Sequence, residues 1–343
     1  MTAASLQIFN GAGQPFVARE VELPRRLNPG EVLVEILLAT ICGSDLHTVD
    51  GRRMAPTPGV LGHEGIGRVL ESDRPGVIVG QRVTWTLADS CGCCQPCLSW
   101  KLPQKCDRLF KYGHAPLNDG HGLNGCYASH LVLRAGTTIV AVPDDLPDSL
   151  VAPANCALAT IVNALADLPQ PCGRVLIQGA GLLGIYAAAW LKQQDVSEIF
   201  CVDLSSERLA AIARFGATPI SAGQSLPAVD LVLEVAGTSQ VIPAGLNNLR
   251  VGGHYVWAGM VHPQTPLAIT GESIVKKCLT VRGVHNYRPE HLVAGLNFLR
   301  QNQARFPFQD LISPPLTLSQ LNEAFELTRQ QRWQRVSVKH EEY

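Results

Sequence analysis

Arg174-Val-Leu-Ile-Gln-Gly179-Ala-Gly181-Leu-Leu-Gly184-Ile-Tyr-Ala-Ala-Ala-Trp-Leu-Lys-Gln-Gln194 runs from a short apolar stretch, through three glycines, into a segment free of helix breakers. This is the pattern of a strand, a tight turn and a helix. Gly179 permits the turn, Gly181 lets backbone N–H groups approach a pyrophosphate, and Gly184 lets the helix lie close on its strand. The helix would open at Leu182 and Leu183, where unpaired N–H donors and partial positive charge suit a diphosphate. Three spaced glycines alone are a weak signal. Here Asp203 follows Gly184 by nineteen residues, at the end of the next predicted strand, Glu198-Ile-Phe-Cys-Val202. A carboxylate there accepts from both ribose hydroxyls and repels a 2′-phosphate, so NAD is expected rather than NADP. Arg208, five residues on, is a further group for the adenosine ribose.

Outward from this segment the rhythm continues. A helix-like stretch covers Ser206 to Arg214, and apolar runs follow at Asp230–Glu234 and His254–Ala258. Alternating strands and helices predict a doubly wound parallel sheet, a Rossmann domain over 153–286. Upstream, over 1–152, short runs such as Glu31–Leu37 and Gly65–Leu70 are separated by Pro and Gly turns, which predicts a β-rich domain. Residues 287–343 return to mixed helix and strand and are expected to rejoin the first domain, giving an α/β protein overall. A chain of 343 residues is long enough for two cores. Its 28 basic and 29 acidic residues leave a net charge of -1, which gives no electrostatic case for nucleic acid or an acidic membrane surface. Neither a secretory leader nor an apolar run of membrane-spanning length is visible, so a cytoplasmic protein is expected.

Eleven cysteines are many for a reducing compartment, and five of them fall between Cys91 and Cys106. Clustering of that kind points to metal rather than to disulfides. Cys91, Cys94 and Cys97 follow C-x2-C-x2-C spacing, and Cys106 comes later. Four thiolates around one tetrahedral Zn²⁺ close its shell, which makes a structural site. Cys93 is a fifth candidate, which the phasing leaves as a free thiol. A second set is scattered: Cys42-Gly-Ser44-Asp45-Leu-His47, Gly62-His63-Glu64, and Asn155-Cys156-Ala-Leu-Ala-Thr160. No local spacing joins these residues, and a single His63 or Cys156 is more often core than ligand.

Taken in order, the motifs resemble one family. They are Cys42-Gly-Ser-Asp-x-His47, Gly62-His-Glu-Gly65-x-Gly67, the Cys91–Cys106 lobe, Gly125-Cys-Tyr-Ala-Ser-His130, Gly179 to Gly184, Asp203 and Glu234-x-x-Gly237. Over nearly the whole length the chain is similar to the zinc-dependent medium-chain dehydrogenases, the alcohol, sorbitol and threonine dehydrogenase group. The resemblance implies a GroES-like first domain with a zinc lobe at about 88–112, and two zinc ions per chain. It implies that Cys42, His63 and Cys156 hold a catalytic zinc with one position open, with Thr160 following in alcohol-dehydrogenase style. Glu64 in relatives approaches or transiently ligates the metal, and its role here is open. The implied reaction passes a hydride between a small alcohol, a polyol included, and NAD. The proton would leave by Ser44, the nicotinamide ribose and His47, while Asp45 orients a ligand imidazole. Relatives are commonly dimers or tetramers, so a homo-oligomer is expected.

The chain departs from the family pattern in places. Eight residues separate Cys97 from Cys106 where relatives usually have seven, and Asn124-Gly-Cys-Tyr-Ala-Ser-His130 changes packing rather than chemistry. Leu102–Cys106, Lys111-Tyr-Gly-His114 and Gly283-Val-His-Asn-Tyr287 are similar to a branch linked to phosphonate catabolism. On that likeness Arg52, Arg53, Lys111, His114, Arg282 and His285 become candidates for holding an oxyanion. Two rival functions stand beside the dehydrogenase: a quinone or enoyl reductase of the same superfamily, and a zinc-bearing protein without catalysis. The three zinc-ligand candidates count against the first, and Ser44 with His47 counts against the second.

Overall fold

Arg174–Gln178 is a strand and Leu182–Gln193 a helix with Gly181 as its N-cap. The computed structural model describes residues 3–167, 172–221 and 223–340. Val175, Leu176 and Ile177 are all buried, as befits a strand covered on both faces of a parallel sheet. Six strands form that sheet in the order Thr218–Ile220, Glu198–Val202, Arg174–Gln178, Val229–Glu234, Leu249–Trp257 and Thr280–Gly283, every pair parallel. In chain order this is 3-2-1-4-5-6, with the glycine turn on the first strand, where the strand order reverses. Gly179 has φ +110°, and a Cβ there would stand 2.9 Å from the Ala236 backbone, so no other residue fits the turn without strain.

The sheet belongs to one of two compact units, Ala157–Tyr287 with Asn302–Pro307. The other comprises Met1–Cys156, Arg288–Gln301 and Phe308–Tyr343. Its centre is the long strand Val32–Thr40, flanked by Glu64–Ser72 on one side and by Ser337–Lys339 on the other, with His130–Leu133 pairing along its first half. The apolar side chains of these strands join Phe16, Tyr127 and Phe325 in one core, where the Phe16 and Phe325 rings lie 5.1 Å apart. A smaller antiparallel sheet orders Val17–Glu22, Ala3–Phe9 and Gly59–Val60. Among the described residues no single helix is long and apolar enough to cross a membrane.

Candidate metal centre and active site

Cys42 is the N-cap of the helix Gly43–Val49. Asp45, on its first turn, reaches back, and its Oδ2 accepts from the Cys42 N–H and from the Tyr127 hydroxyl, each at 3.0 Å. Its Oδ1 lies 3.3 Å from His63 Nδ1, with both residues buried. A proton held on Nδ1 leaves the lone pair on Nε2, the arrangement of a metal-ligating imidazole steered by a carboxylate. His63 enters the strand Glu64–Ser72 directly after Gly62, whose φ is +88° and where a Cβ would run into the Tyr127 ring at 2.8 Å. Cys156 ends the 3-10 turn Ala152–Asn155. Asn155 ties that turn to the histidine strand, because its Nδ2 donates to the carbonyls of His63 at 3.2 Å and Trp85 at 3.1 Å.

Together these elements bring one ligand atom each from Cys42, His63, Glu64 and Cys156 within 4.8 Å of one another. Two soft sulfurs, an imidazole and a carboxylate converging in a buried place fit Zn²⁺. Glu64 is already engaged. Arg335 donates to its two oxygens from Nε at 2.8 Å and Nη2 at 2.9 Å, and Thr40 Oγ1 donates at 2.6 Å. Burial pushes the Glu64 carboxyl up to about 7 while Arg335 pulls it down. Against the burial that opposes it, the Asp45 carboxylate raises His63 to about 10. A hydrogen bond from the Cys156 thiol holds Cys42 well below the ordinary thiol range, and Arg335 adds to this against the cost of burial. The charges of the pocket therefore favour thiolate at Cys42.

The second cluster is local. Cys94 precedes the short helix Gln95–Leu98 that carries Cys97, and the two sulfurs are 3.3 Å apart. Cys106 Sγ lies 3.8 Å from Cys94 Sγ and accepts from the N–H groups of Cys91 at 3.2 Å and Arg108 at 3.3 Å. Ligand atoms of all four cysteines lie within 4.8 Å of one another, a donor set that fits a closed thiolate shell. Cys93 stands outside it, exposed, with Arg108 Nη2 2.8 Å from its sulfur. The long Cys97–Cys106 span is taken up by Lys101, at φ +56°, and the 3-10 turn Pro103–Lys105.

At the glycine turn, Asp203 sits just past its strand, accepting from the N–H groups of Ala180 at 2.7 Å and Ser205 at 2.9 Å. Gly181 offers no side chain to cap the helix that begins at Leu182, so the first-turn N–H groups of Leu182, Leu183 and Gly184 are suited to an anion. Arg208 lies in the first turn of Ser206–Ala213, its N–H accepted by Ser205 Oγ at 3.2 Å. Ser44 and His47 lie three residues apart on the helix Gly43–Val49, hence on one face, and both are half-buried. Thr160 is in the helix Ala157–Leu165.

Of the six oxyanion candidates, two are committed elsewhere. Arg52 pairs with Asp50 at 2.8 Å. Arg282 pairs with Asp167 at 2.8 Å and donates to the carbonyls of Asn163 and Ala164, capping the last turn of Ala157–Leu165. His285 belongs to the same unit as Arg282, whereas Arg53, Lys111 and His114 belong to the unit that holds the metal cluster. Sequence reasoning missed Thr40, Asn155, Tyr127 and Arg335 as supports of that cluster. Tyr127 stood inside a quoted motif but read as packing. No local signal marks Arg335.

Residues 28–144 match the alcohol dehydrogenase GroES-like domain family, and residues 147–335 match the glucose dehydrogenase C-terminus family. The chain is 29% identical to a 5-exo-hydroxycamphor dehydrogenase of Pseudomonas putida, covering 88% of this chain and 89% of that one. It is 30% identical to an L-threonine 3-dehydrogenase of Streptomyces avermitilis, covering 76% of this chain and 78% of that one. An alcohol dehydrogenase structure from Thermotoga maritima superposes with a TM-score of 0.92 at 28% identity, covering 99% of this chain and 100% of that one. The chain thus belongs to the zinc-dependent medium-chain alcohol dehydrogenase family, with a GroES-like domain and a Rossmann domain. It is an oxidoreductase of the alcohol and polyol dehydrogenase type.

Proposed function

We propose that this protein oxidises an alcohol to an aldehyde or ketone, or runs the reverse reduction, with NAD as hydride partner and two zinc ions per chain. Cys42, His63 and Cys156 hold the catalytic zinc, and Cys91, Cys94, Cys97 and Cys106 hold the structural one. The observation that carries the reading is the buried convergence of Cys42, His63, Glu64 and Cys156 within 4.8 Å. Zinc bound there supplies the Lewis acidity that lowers the pKa of an alcohol, and NAD supplies the hydride acceptor.

The chain's own residues do the rest. Asp45 fixes the tautomer and tilt of His63, and Tyr127 fixes Asp45. Arg335 neutralises Glu64 and lies 3.6 Å from Cys42 Sγ, so the guanidinium holds the carboxylate with both of its oxygens engaged. Ser44, a hydroxyl that both accepts and donates, takes the alcohol's proton, and His47, an imidazole one turn on, hands it toward water. Gly179, Gly181, Leu182, Leu183 and Gly184 cradle the diphosphate, while Asp203 and Arg208 meet the adenosine ribose and Asp203 selects NAD over NADP. Thr160 contributes to the cofactor side. The family resemblance supports a dimer or tetramer.

The test joins elemental analysis to NADH formation over a panel of simple alcohols, polyols and threonine, each with and without chelator. About two zinc ions per chain and chelator-sensitive turnover are expected. Zinc without turnover of any alcohol would favour a metal-bearing protein that lacks the chemistry. Reduction of quinones or enones by the zinc-free protein would favour the reductase rival.

A further inference from the structure

Glu234 ends the strand Val229–Glu234, level with Gln178 on one neighbouring strand and Trp257 on the other, so three strands finish in one row. The segments that leave them touch. Val235 N–H donates to the Gln178 carbonyl at 2.9 Å, and Ala258 N–H to the Glu234 carbonyl at 3.0 Å. The glycine turn at Gly179 packs on the Ala236 backbone. The Glu234 side chain is fully buried at this junction. Its Oε1 accepts from Gly237 N–H at 2.6 Å and its Oε2 from Gly259 N–H at 3.0 Å. One carboxylate thus ties the loop that follows its own strand to the loop that follows the next. No side chain fits between them: a Cβ on Gly259 would stand 2.6 Å from Gly237 N and 2.7 Å from Glu234 Oε1.

A buried carboxylate is costly unless donors surround it. Burial raises the pKa of Glu234, while the N–H groups of Gly237, Gly259, Met260 and Ala236 lower it. A carboxylate accepts on both oxygens, whereas a glutamine of the same shape has one acceptor and sets its amide nitrogen against a backbone N–H. The place of the junction in the sheet says what it serves. A sheet of order 3-2-1-4-5-6 has two mononucleotide-binding halves that meet at the glycine turn. Asp203 follows the second strand, in the half that takes the adenosine. The loops held by Glu234 follow the fourth and fifth strands, in the other half.

We propose that Glu234 is a positioning residue for the nicotinamide half of the dinucleotide. It fixes the backbone at Val235–Gly237 and Ala258–Gly259 so that this half is held, while the adenosine and diphosphate are held without it. The inference rests on the NAD reading above. Calorimetry on the zinc-loaded protein uses NADH and ADP as probes, which share adenosine and diphosphate and differ in the nicotinamide riboside. Wild type, Glu234→Gln and Gly259→Ala are compared. In Glu234→Gln the dissociation constant of NADH should rise about tenfold, and that of ADP should stay within about twofold. Gly259→Ala disturbs the same junction from the neighbouring loop and should show the same split.

Equal weakening of NADH and ADP in folded Glu234→Gln, or no change in either, overturns the proposal. Equal weakening would make Glu234 a general support of the fold rather than of one half of the cofactor. If Glu234→Gln does not fold, Gly259→Ala decides by the same split. If wild type binds neither probe, the NAD reading falls and this inference falls with it. If wild type binds both and the split is absent, the inference alone falls.

Discussion

The guanidinium of Arg335 meets both oxygens of Glu64, which is fully buried, at 2.8 and 2.9 Å. Removing one partner of such a pair leaves an uncompensated charge inside the protein. Arg335→Met is expected to lose about 3–5 kcal/mol of stability, and Arg335→Met with Glu64→Gln to recover a large part, as read by denaturant unfolding. Equal losses in the single and double variants would show that the pair is not what matters. A second expectation concerns Asp45. Asp45→Asn keeps the shape but loses the carboxylate beside His63 Nδ1, so zinc affinity should fall about 10–100-fold in a chelator competition. At this scale the sequence was legible only where residues were neighbours. Asp45 could be read from its place in the Cys42–His47 motif. Arg335, 271 residues from Glu64 along the chain, could not, because an ion pair across that distance leaves no local pattern.

The lobe around Cys91–Cys106 and the strand–turn–helix at Gly179 are self-contained elements, and both were legible because their signals are local. Cysteine spacing identified the cluster and set Cys93 aside, and the glycine spacing placed the turn. The spacing did not show how the longer Cys97–Cys106 loop is accommodated, since the left-handed Lys101 has no glycine to announce it. Because the lobe's four sulfurs come from one short stretch, Cys97→Ser should release its zinc alone. Metal content is expected to fall from about two ions per chain to about one, with faster proteolysis inside 88–112. Loss of both ions would mean that the two clusters are coupled.

For the whole molecule, acidification offers a measure of what folding hides. His130 is 1% exposed, its Nδ1 bonded to Ser129 Oγ at 2.7 Å and its Nε2 buried without a partner among the described residues. Burial, followed by the charge of His340, lowers its pKa from 6.5 to about 4. Between those values the unfolded chain holds a proton that the folded chain lacks. Stability should therefore fall as pH drops from about 6.5 toward 4, on the order of 2 kcal/mol from this residue, and His130→Gln should flatten that limb in urea titrations. An unchanged slope in His130→Gln would assign the effect to other groups. The doubly wound half of the architecture could be read from the alternation of strand and helix. The β-rich half was legible only as a class, because its pairings join distant strands: Ser337–Lys339 lies beside Val32–Thr40.

That last pairing has a consequence during synthesis. A ribosome delivers the chain from its amino end, so Cys42, His63, Glu64 and Cys156 emerge long before Arg335 and the strand that follows it. Until then Glu64 lacks its guanidinium and Val32–Thr40 lacks a neighbour at the Ala39–Thr40 end of one edge, a state open to mispairing with other nascent chains. A nascent chain stalled before residue 335 should therefore hold zinc at this centre poorly, and the late-made stretch around Arg335 would serve as the latch of the metal site.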